Sequence, residues 1–217
     1  MNQKISVSVI SIALSEKDFE ALKDNLASQS FRDFEFIGEV GGTIPEAWNR
    51  AIRRARGEIL VFTETDAQPV NQHWLAELVE QVQRTSAIVK GLEVTQAPLD
   101  MSNLAGYRQT FLDNPFDEKF LWAEDTELVC RIKNEGHAII QLDCAPVIHL
   151  QKSRSRRHIR RAFRYGLYWA RLRYLYPGTH DVAGLDEILK MLVKSVLNIL
   201  GYFAGLLIYL PKRLKKN

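Results

Sequence analysis

The chain has 217 residues, of which 46% are apolar and 25% charged, with only two cysteines; this fits one good-sized folded core with a small appendage and excludes a disulfide scaffold or a low-complexity chain. A formal net charge of +3 hides a division: residues 1–150 carry 14 Lys and Arg against 23 Asp and Glu, whereas residues 151–217 carry 15 against 3. An asymmetry of that size points to an anionic partner for the basic end, either membrane lipid or nucleic acid.

Residues 5–12 are rich in Val and Ile and read as a buried parallel strand. Ser15 with Asp18 is close to a capping box, and Phe19, Leu22 and Leu26 follow at helical spacing. A second strand at about 33–40 leads into Gly41-Gly42. Thr43 and Glu46 flank Pro45 as a second capping pair, and Gly57 reads as the C-terminal cap of the helix they open. The third strand is 58–62. Asn71 reads as the cap of a helix carrying Trp74, Leu75, Leu78 and Val82 inward, and a fourth strand runs over about 87–94. Residues 96–114 carry no clear pattern. A helix over 124–135, closed by Gly136, and strands at about 138–142 and 146–150 complete the series. Alternating strands and helices of this kind argue a mostly parallel α/β sheet. Cys130 and Cys144 lack the spacing of a zinc or redox motif and read as reduced core residues. The apolar run at the N-terminus is too short for a signal peptide, and cytoplasmic residence is the expectation.

The strand at 58–62 ends in Glu64 and Asp66, two carboxylates one residue apart. In an open α/β sheet, ligands settle beyond the carboxyl ends of the strands, and hard divalent cations holding phosphates take one or two carboxylates plus phosphate oxygens. Taken alone, the pair is equally readable as loop acids of a turn. A second acidic pair, Glu124-Asp125, opens a later helix.

The pattern as a whole resembles the family 2 glycosyltransferases. The resemblance rests on Ala47-Trp48-Asn49-Arg50-Ala51-Ile52 leading to Ala55-Arg56-Gly57-Glu58-Ile59, on Phe62 to Pro69 with Trp74-Leu75, and on Phe116-Asp117-Glu118 followed by Glu124-Asp125, Leu128, Arg131 and Gly136. It covers roughly residues 4–176. It implies a three-layer α/β/α sandwich of the nucleotide-diphospho-sugar transferase A type, and a sugar-nucleotide donor. Glu64 and Asp66 match the motif that positions the donor, Asp66 most directly through Mg²⁺ or Mn²⁺. Asp125, beside Glu124, matches the catalytic base, His149 a histidine that reaches the metal or diphosphate, and Glu39 an acid near the donor nucleoside. Two departures stand out: Ala13-Leu14-Ser15-Glu16 replaces the usual Pro-x-Tyr-Asn loop, and Glu39-Val40-Gly41-Gly42 replaces the Asp-Asp-Gly-Ser turn.

Residues 152–173 hold nine Lys or Arg and no acid, interleaved with aromatic residues. Aromatic and basic side chains together can bind nucleic acid, but the adjoining tail argues for membrane. Residues 195–210 are without charge, and Glu187, Lys190, Lys194, Asn198, Gly201 and Gly205 form a polar or small stripe, as on an interfacial helix. Lys212, Arg213, Lys215 and Lys216 would meet anionic headgroups. Gly201 and Gly205 are also compatible with helix pairing, and so with a homo-oligomer. Arg154 and Arg157 are candidates for binding a diphosphate.

The expectation is therefore a catalytic domain over 1–150 and a basic, apolar helical membrane-association region over 151–217. The activity expected is metal-dependent, inverting transfer of a single sugar from a nucleotide-diphosphate sugar to a lipid or lipid-linked saccharide at the cytoplasmic face of the membrane, with no nucleic-acid partner. The alternative is a non-catalytic sugar-nucleotide-binding or scaffold protein on the same fold.

Overall fold

The computed structural model describes residues 6–94 and 101–150, together with 168, 171, 172, 175 and 176. The chain divides into two compact units, Met1–Pro177 and Gly178–Asn217, and every described residue belongs to the first. The apolar tail expected to meet the membrane lies outside the described residues. Among the described residues, no helix is long and apolar enough to cross a membrane.

The strands are β1 (Val7–Ala13), β2 (Phe34–Val40), β3 (Ile59–Phe62), β4 (Ala67–Pro69), β5 (Ile88–Lys90), β6 (Leu104–Tyr107), β7 (Ile139–Gln141) and β8 (Val147–His149). The helices are α1 (Glu20–Ala27), α2 (Ile44–Arg54), α3 (Trp74–Thr85), α4 (Arg108–Asp113) and α5 (Glu124–Asn134). Six strands form one sheet in the order β2-β1-β3-β6-β5-β7, in which β6 alone runs against its neighbours. The carboxyl ends of β1, β2, β3, β5 and β7 consequently share one edge.

The two-residue period of a strand sends alternate side chains to opposite faces, and this chain fills both. Val7 and Val9 of β1, with Ile59 and Val61 of β3, pack on Leu22 and Leu26 of α1 and Trp74, Leu75 and Leu78 of α3. Ile10, Leu60 and Phe62 point the other way, onto Trp48 and Ile52 of α2, Phe111 of α4, and Leu128 and Ile132 of α5. Two cores on either side of one sheet make the three-layer sandwich, with each fully buried Val, Leu, Ile or Phe contributing about 1.5–3 kcal/mol.

Four local expectations change. Helix α2 ends at Arg54 and the next residue, Ala55, is extended, so Gly57 is not its cap. The glycine is needed instead because the chain passes against β1: a Cβ there would lie 2.5 Å from the Ser8 nitrogen and the Val7 carbonyl carbon. Asn71 does not cap α3, which starts after His73; its Oδ1 accepts from the His73 amide at 2.8 Å in the turn before the helix. The strand expected over 87–94 leaves the sheet after Lys90, and its continuation pairs with the chain entering β8, the Val147 amide donating to the Leu92 carbonyl and the Val94 amide to the Val147 carbonyl. The unreadable stretch contains β6 and α4, where Gly106 gives room to Ile88 and Phe111. Neither cysteine is in a disulfide; Cys130 is buried and Cys144 half-buried.

Candidate active site

The strand β3 is buried on both faces through Phe62, and the ladder runs one residue further, the Thr63 amide donating to the Ile10 carbonyl at 3.1 Å. A turn then closes through the Ala67 amide on the Glu64 carbonyl at 3.1 Å, with the Thr63 hydroxyl on the Ala67 carbonyl at 3.3 Å. The reversed chain forms β4, antiparallel to β8, with Ala67 opposite His149. The Leu150 amide donates to the Asp66 carbonyl at 2.8 Å. This register carries His149 to the acidic turn. One ligand atom from each of Glu64, Asp66 and His149 lies within 4.8 Å of the other two, and all three residues are half-buried. Two carboxylates and an imidazole suit a divalent cation, and the nitrogen donor favours Mn²⁺ over the strictly oxygen-seeking Mg²⁺.

Behind His149 lies a set of polar side chains for which sequence reasoning assigned no role. His149 Nε2 is 3.0 Å from Glu93 Oε2 and 3.1 Å from the Ser102 hydroxyl. The other oxygen, Glu93 Oε1, accepts from Lys90 Nζ and from the Ser102 hydroxyl, each at 2.8 Å. The Lys90 side chain is 3% exposed and that of Glu93 9%. The available signal was Lys90 itself, a charge within the apolar run Ala87-Ile88-Val89-Lys90, because a buried lysine requires a partner.

Helix α5 brings Glu124 and Asp125 to the same edge. Its last turn is joined to the start of β7 by a short connection through Gly136 and His137, and its Leu128 and Ile132 pack on the sheet beside Ile88 and Ile139. Eleven helical residues rise ~16 Å, so the helix starts at the carboxyl edge of the parallel strands. Ala123, just before it, has φ +58, a left-handed conformation that costs an alanine about 1–2 kcal/mol. Burial, reinforced by the charge of Asp125, pushes the Glu124 carboxyl from its ordinary 4.5 up to about 7. Asp125 Oδ1 accepts from the Thr126 amide at 2.6 Å. The approach to α5 is fixed by Asn49 of α2, which donates to the Phe116 carbonyl at 3.0 Å and accepts from the Phe116 amide at 2.9 Å. Farther along, Glu127 is buried and holds both Arg131 Nε at 2.9 Å and the Tyr176 hydroxyl at 2.7 Å.

Glu39 stands at the end of β2, buried, and its carboxylate pairs with Arg50 Nε at 3.0 Å and with Arg54. Burial alone would raise its pKa, but the hydrogen bonds from the two guanidinium groups outweigh it and hold the carboxyl below the ordinary value. Arg154 and Arg157 lie outside the described residues.

No family model matches this sequence, and no curated protein does. Solved structures do. A mannosyltransferase from Pyrobaculum calidifontis, in complex with GDP-Man and Mn²⁺, superposes with a TM-score of 0.59 at 18% identity, over 78% of this chain and 64% of that one. The fold is that of the GT-A-type glycosyltransferases. S. aureus TarS matches with a TM-score of 0.57 at 18% identity, over 67% of this chain and 37% of its own. Glucosyl-3-phosphoglycerate synthase from Mycobacterium tuberculosis, in complex with Mn²⁺, UDP and phosphoglyceric acid, matches with a TM-score of 0.53 at 16% identity, over 68% and 71%. This chain thus spans just under two thirds of the mannosyltransferase and little more than a third of TarS.

Proposed function

We propose that this GT-A chain is an inverting glycosyltransferase that moves a single sugar from a nucleotide-diphosphate donor to a membrane-associated acceptor. The observation that carries the reading is the convergence of Glu64, Asp66 and His149 within 4.8 Å at the carboxyl edge of the sheet, where ligands of open α/β sheets bind. Glu64, Asp66 and His149 would hold the Mn²⁺ or Mg²⁺, and a bound cation supplies Lewis-acid stabilisation of charge developing on the leaving diphosphate. In this reading the donor lies between the cation's site and the acidic pair of α5 and presents its anomeric carbon to an acceptor hydroxyl on the α5 side.

In this reading Asp125 takes the proton from the acceptor hydroxyl as that oxygen attacks, which requires approach to within ~3 Å. Glu124, with a pKa near neutrality, shapes the field around that base: protonated it leaves Asp125 the only negative charge of the pair, and ionised it strengthens Asp125 as a base. The acceptor is a lipid or lipid-linked saccharide at the cytoplasmic membrane surface, a reading supported by the basic and apolar composition of residues 151–217. Asp125→Asn should lower transfer about 10²–10⁴-fold while nucleotide-sugar affinity stays within about twofold. Near-wild-type turnover in that variant removes Asp125 from the base role.

A non-catalytic, donor-binding role on the same fold draws on Glu39, whose carboxylate is committed to Arg50 and Arg54. A screen of nucleotide sugars for transfer or donor hydrolysis with Mn²⁺ separates the two, since a binding protein gains thermal stability from donor without turning it over.

A further inference from the structure

The geometry points to Glu93 as a positioning residue that fixes the ring of His149, in its Nε2–H tautomer, for the cation held with Glu64 and Asp66. This rests on the cation site of the reading above and adds residues that set its affinity.

Backbone pairing sets the two residues side by side. The 92–94 segment pairs in parallel with β8, with Glu93 bridged to Val147, and the Leu92 carbonyl and Val94 amide close the ladder on Val147 at 2.9 and 3.0 Å. Residues two apart on a strand share a face, so His149 follows buried Val147 on the inner side while Ile148 points outward, 39% exposed. Across the other edge of β8, the pairing of His149 with Ala67 sets the ring next to the Glu64–Asp66 turn. The imidazole therefore stands between two acidic groups of different kinds. One belongs to the candidate cation site; the other, Glu93, is clamped from behind.

That clamp gives Glu93 its direction. Lys90 Nζ and the Ser102 hydroxyl both donate to Oε1, which leaves Oε2 facing His149 Nε2 at 3.0 Å. The Ser102 hydroxyl gives its one proton to Glu93 Oε1 and so accepts from His149 Nε2–H at 3.1 Å, with the charge of Glu93 Oε2 beside that proton but outside hydrogen-bond alignment; a neutral imidazole protonated there has its lone pair on Nδ1. Histidines that bind metals characteristically give their second ring N–H to a carboxylate, which fixes the tautomer and raises ligand basicity; loss of such a partner weakens metal binding ~10–100-fold. The Lys90–Glu93 pair is also costly to bury unless well paired, and its hydrogen bonds to Ser102 and its place against His149 supply that pairing.

The test uses the full chain with Mn²⁺ alone, free Mn²⁺ being counted by electron paramagnetic resonance, and ¹⁵N-histidine NMR on the metal-free protein. Glu93→Gln should raise the Mn²⁺ dissociation constant ~10–100-fold and shift His149 from a single Nε2–H tautomer to a mixture. Ser102→Ala, a smaller change that keeps the Lys90–Glu93 pair, should weaken Mn²⁺ several-fold, with a cooperative unfolding transition in EDTA that is lowered but retained. His149→Ala should lose as much affinity as Glu93→Gln, and the double variant no more than either. If His149→Ala weakens Mn²⁺ but both Glu93→Gln and Ser102→Ala bind it as the wild type does, with the tautomer unchanged, the positioning role is overturned and the cation site stands. If Asp66→Ala and His149→Ala leave Mn²⁺ binding unchanged, the cation site itself is wrong and the role of Glu93 falls with it.

Discussion

The two halves of the sheet are held together by different chemistry. Strands β1, β2 and β3 are parallel, and β1 and β3 bury mainly apolar side chains such as Val7, Val9, Leu60 and Val61 on both faces, with Ser8 and Ser11 the buried polar residues of β1. Around β5, β6 and β8 the interior carries Lys90, Ser102 and Asn103, all buried. Asn103 alone ties three segments: its Oδ1 accepts from Trp74 Nε1 at 2.8 Å, and its Nδ2 donates to the Ala145 carbonyl at 2.8 Å and the Leu92 carbonyl at 3.3 Å. The first half derives its stability mainly from non-directional burial, which tolerates a change of partner of similar volume. The second half derives its geometry from directional polar contacts, which an aligned metal ligand requires and burial alone cannot supply.

Substitutions should separate these two kinds of interior. Leu60→Ala opens a cavity in the apolar half and should cost about 2–5 kcal/mol in chemical denaturation, while Mn²⁺ affinity of the folded fraction stays unchanged. A change in that affinity would mean the halves are mechanically coupled.

Glu124, at the start of α5, is the sharpest electrostatic probe of the candidate site. Its folded pKa of about 7 exceeds its ordinary 4.5, so the folded state retains a proton that the unfolded chain has released between those values. Stability should therefore fall as pH rises from about 4.5 to about 7, and the full loss, roughly 3 kcal/mol, persists above that range. Glu124→Gln should flatten this decline in denaturation midpoints taken from pH 4.5 to 8. A parallel slope in the variant would reject the burial-driven shift.

A comparable loss, through hydrogen bonds rather than volume or charge, is expected from Asn103→Ala. The buried Trp74 Nε1 and Ala145 carbonyl would each lose a partner, at about 1–3 kcal/mol per group. The same variant should also weaken Mn²⁺ binding, because Asn103 adjoins Ser102 and braces Leu92 beside Glu93. Unchanged Mn²⁺ binding alongside the stability loss would confine Asn103 to folding.

The same contrast explains what the sequence disclosed. Strands β1 and β3 were legible because both faces are apolar, and α2 because Thr43, Pro45 and Glu46 mark its start, the Thr43 amide donating to Glu46 at 2.8 Å. Glu64 and Asp66 stood out by interrupting an apolar strand. Strand β6 was not legible: Leu-Ala-Gly-Tyr is short, and Gly106 serves packing under Phe111 rather than strand propensity. The register of β4 on β8, which brings His149 to Asp66, depends on pairing between distant segments and leaves no periodic trace. Glu93 and Ser102 read as ordinary polar residues until the fold buries them beside His149.

Asp66 and its two neighbours form, on this reading, one cation site that receives a nucleotide diphosphate. The direct measurement is calorimetric binding of UDP- and GDP-sugars to wild-type protein and to Asp66→Ala, each with Mn²⁺ and with EDTA. At least one donor should bind the wild type with an affinity that falls by tenfold or more in EDTA, and should bind Asp66→Ala weakly in both conditions. Donor affinity that is indifferent to Mn²⁺ in the wild type, or fully retained and still Mn²⁺-dependent in Asp66→Ala, would contradict that reading.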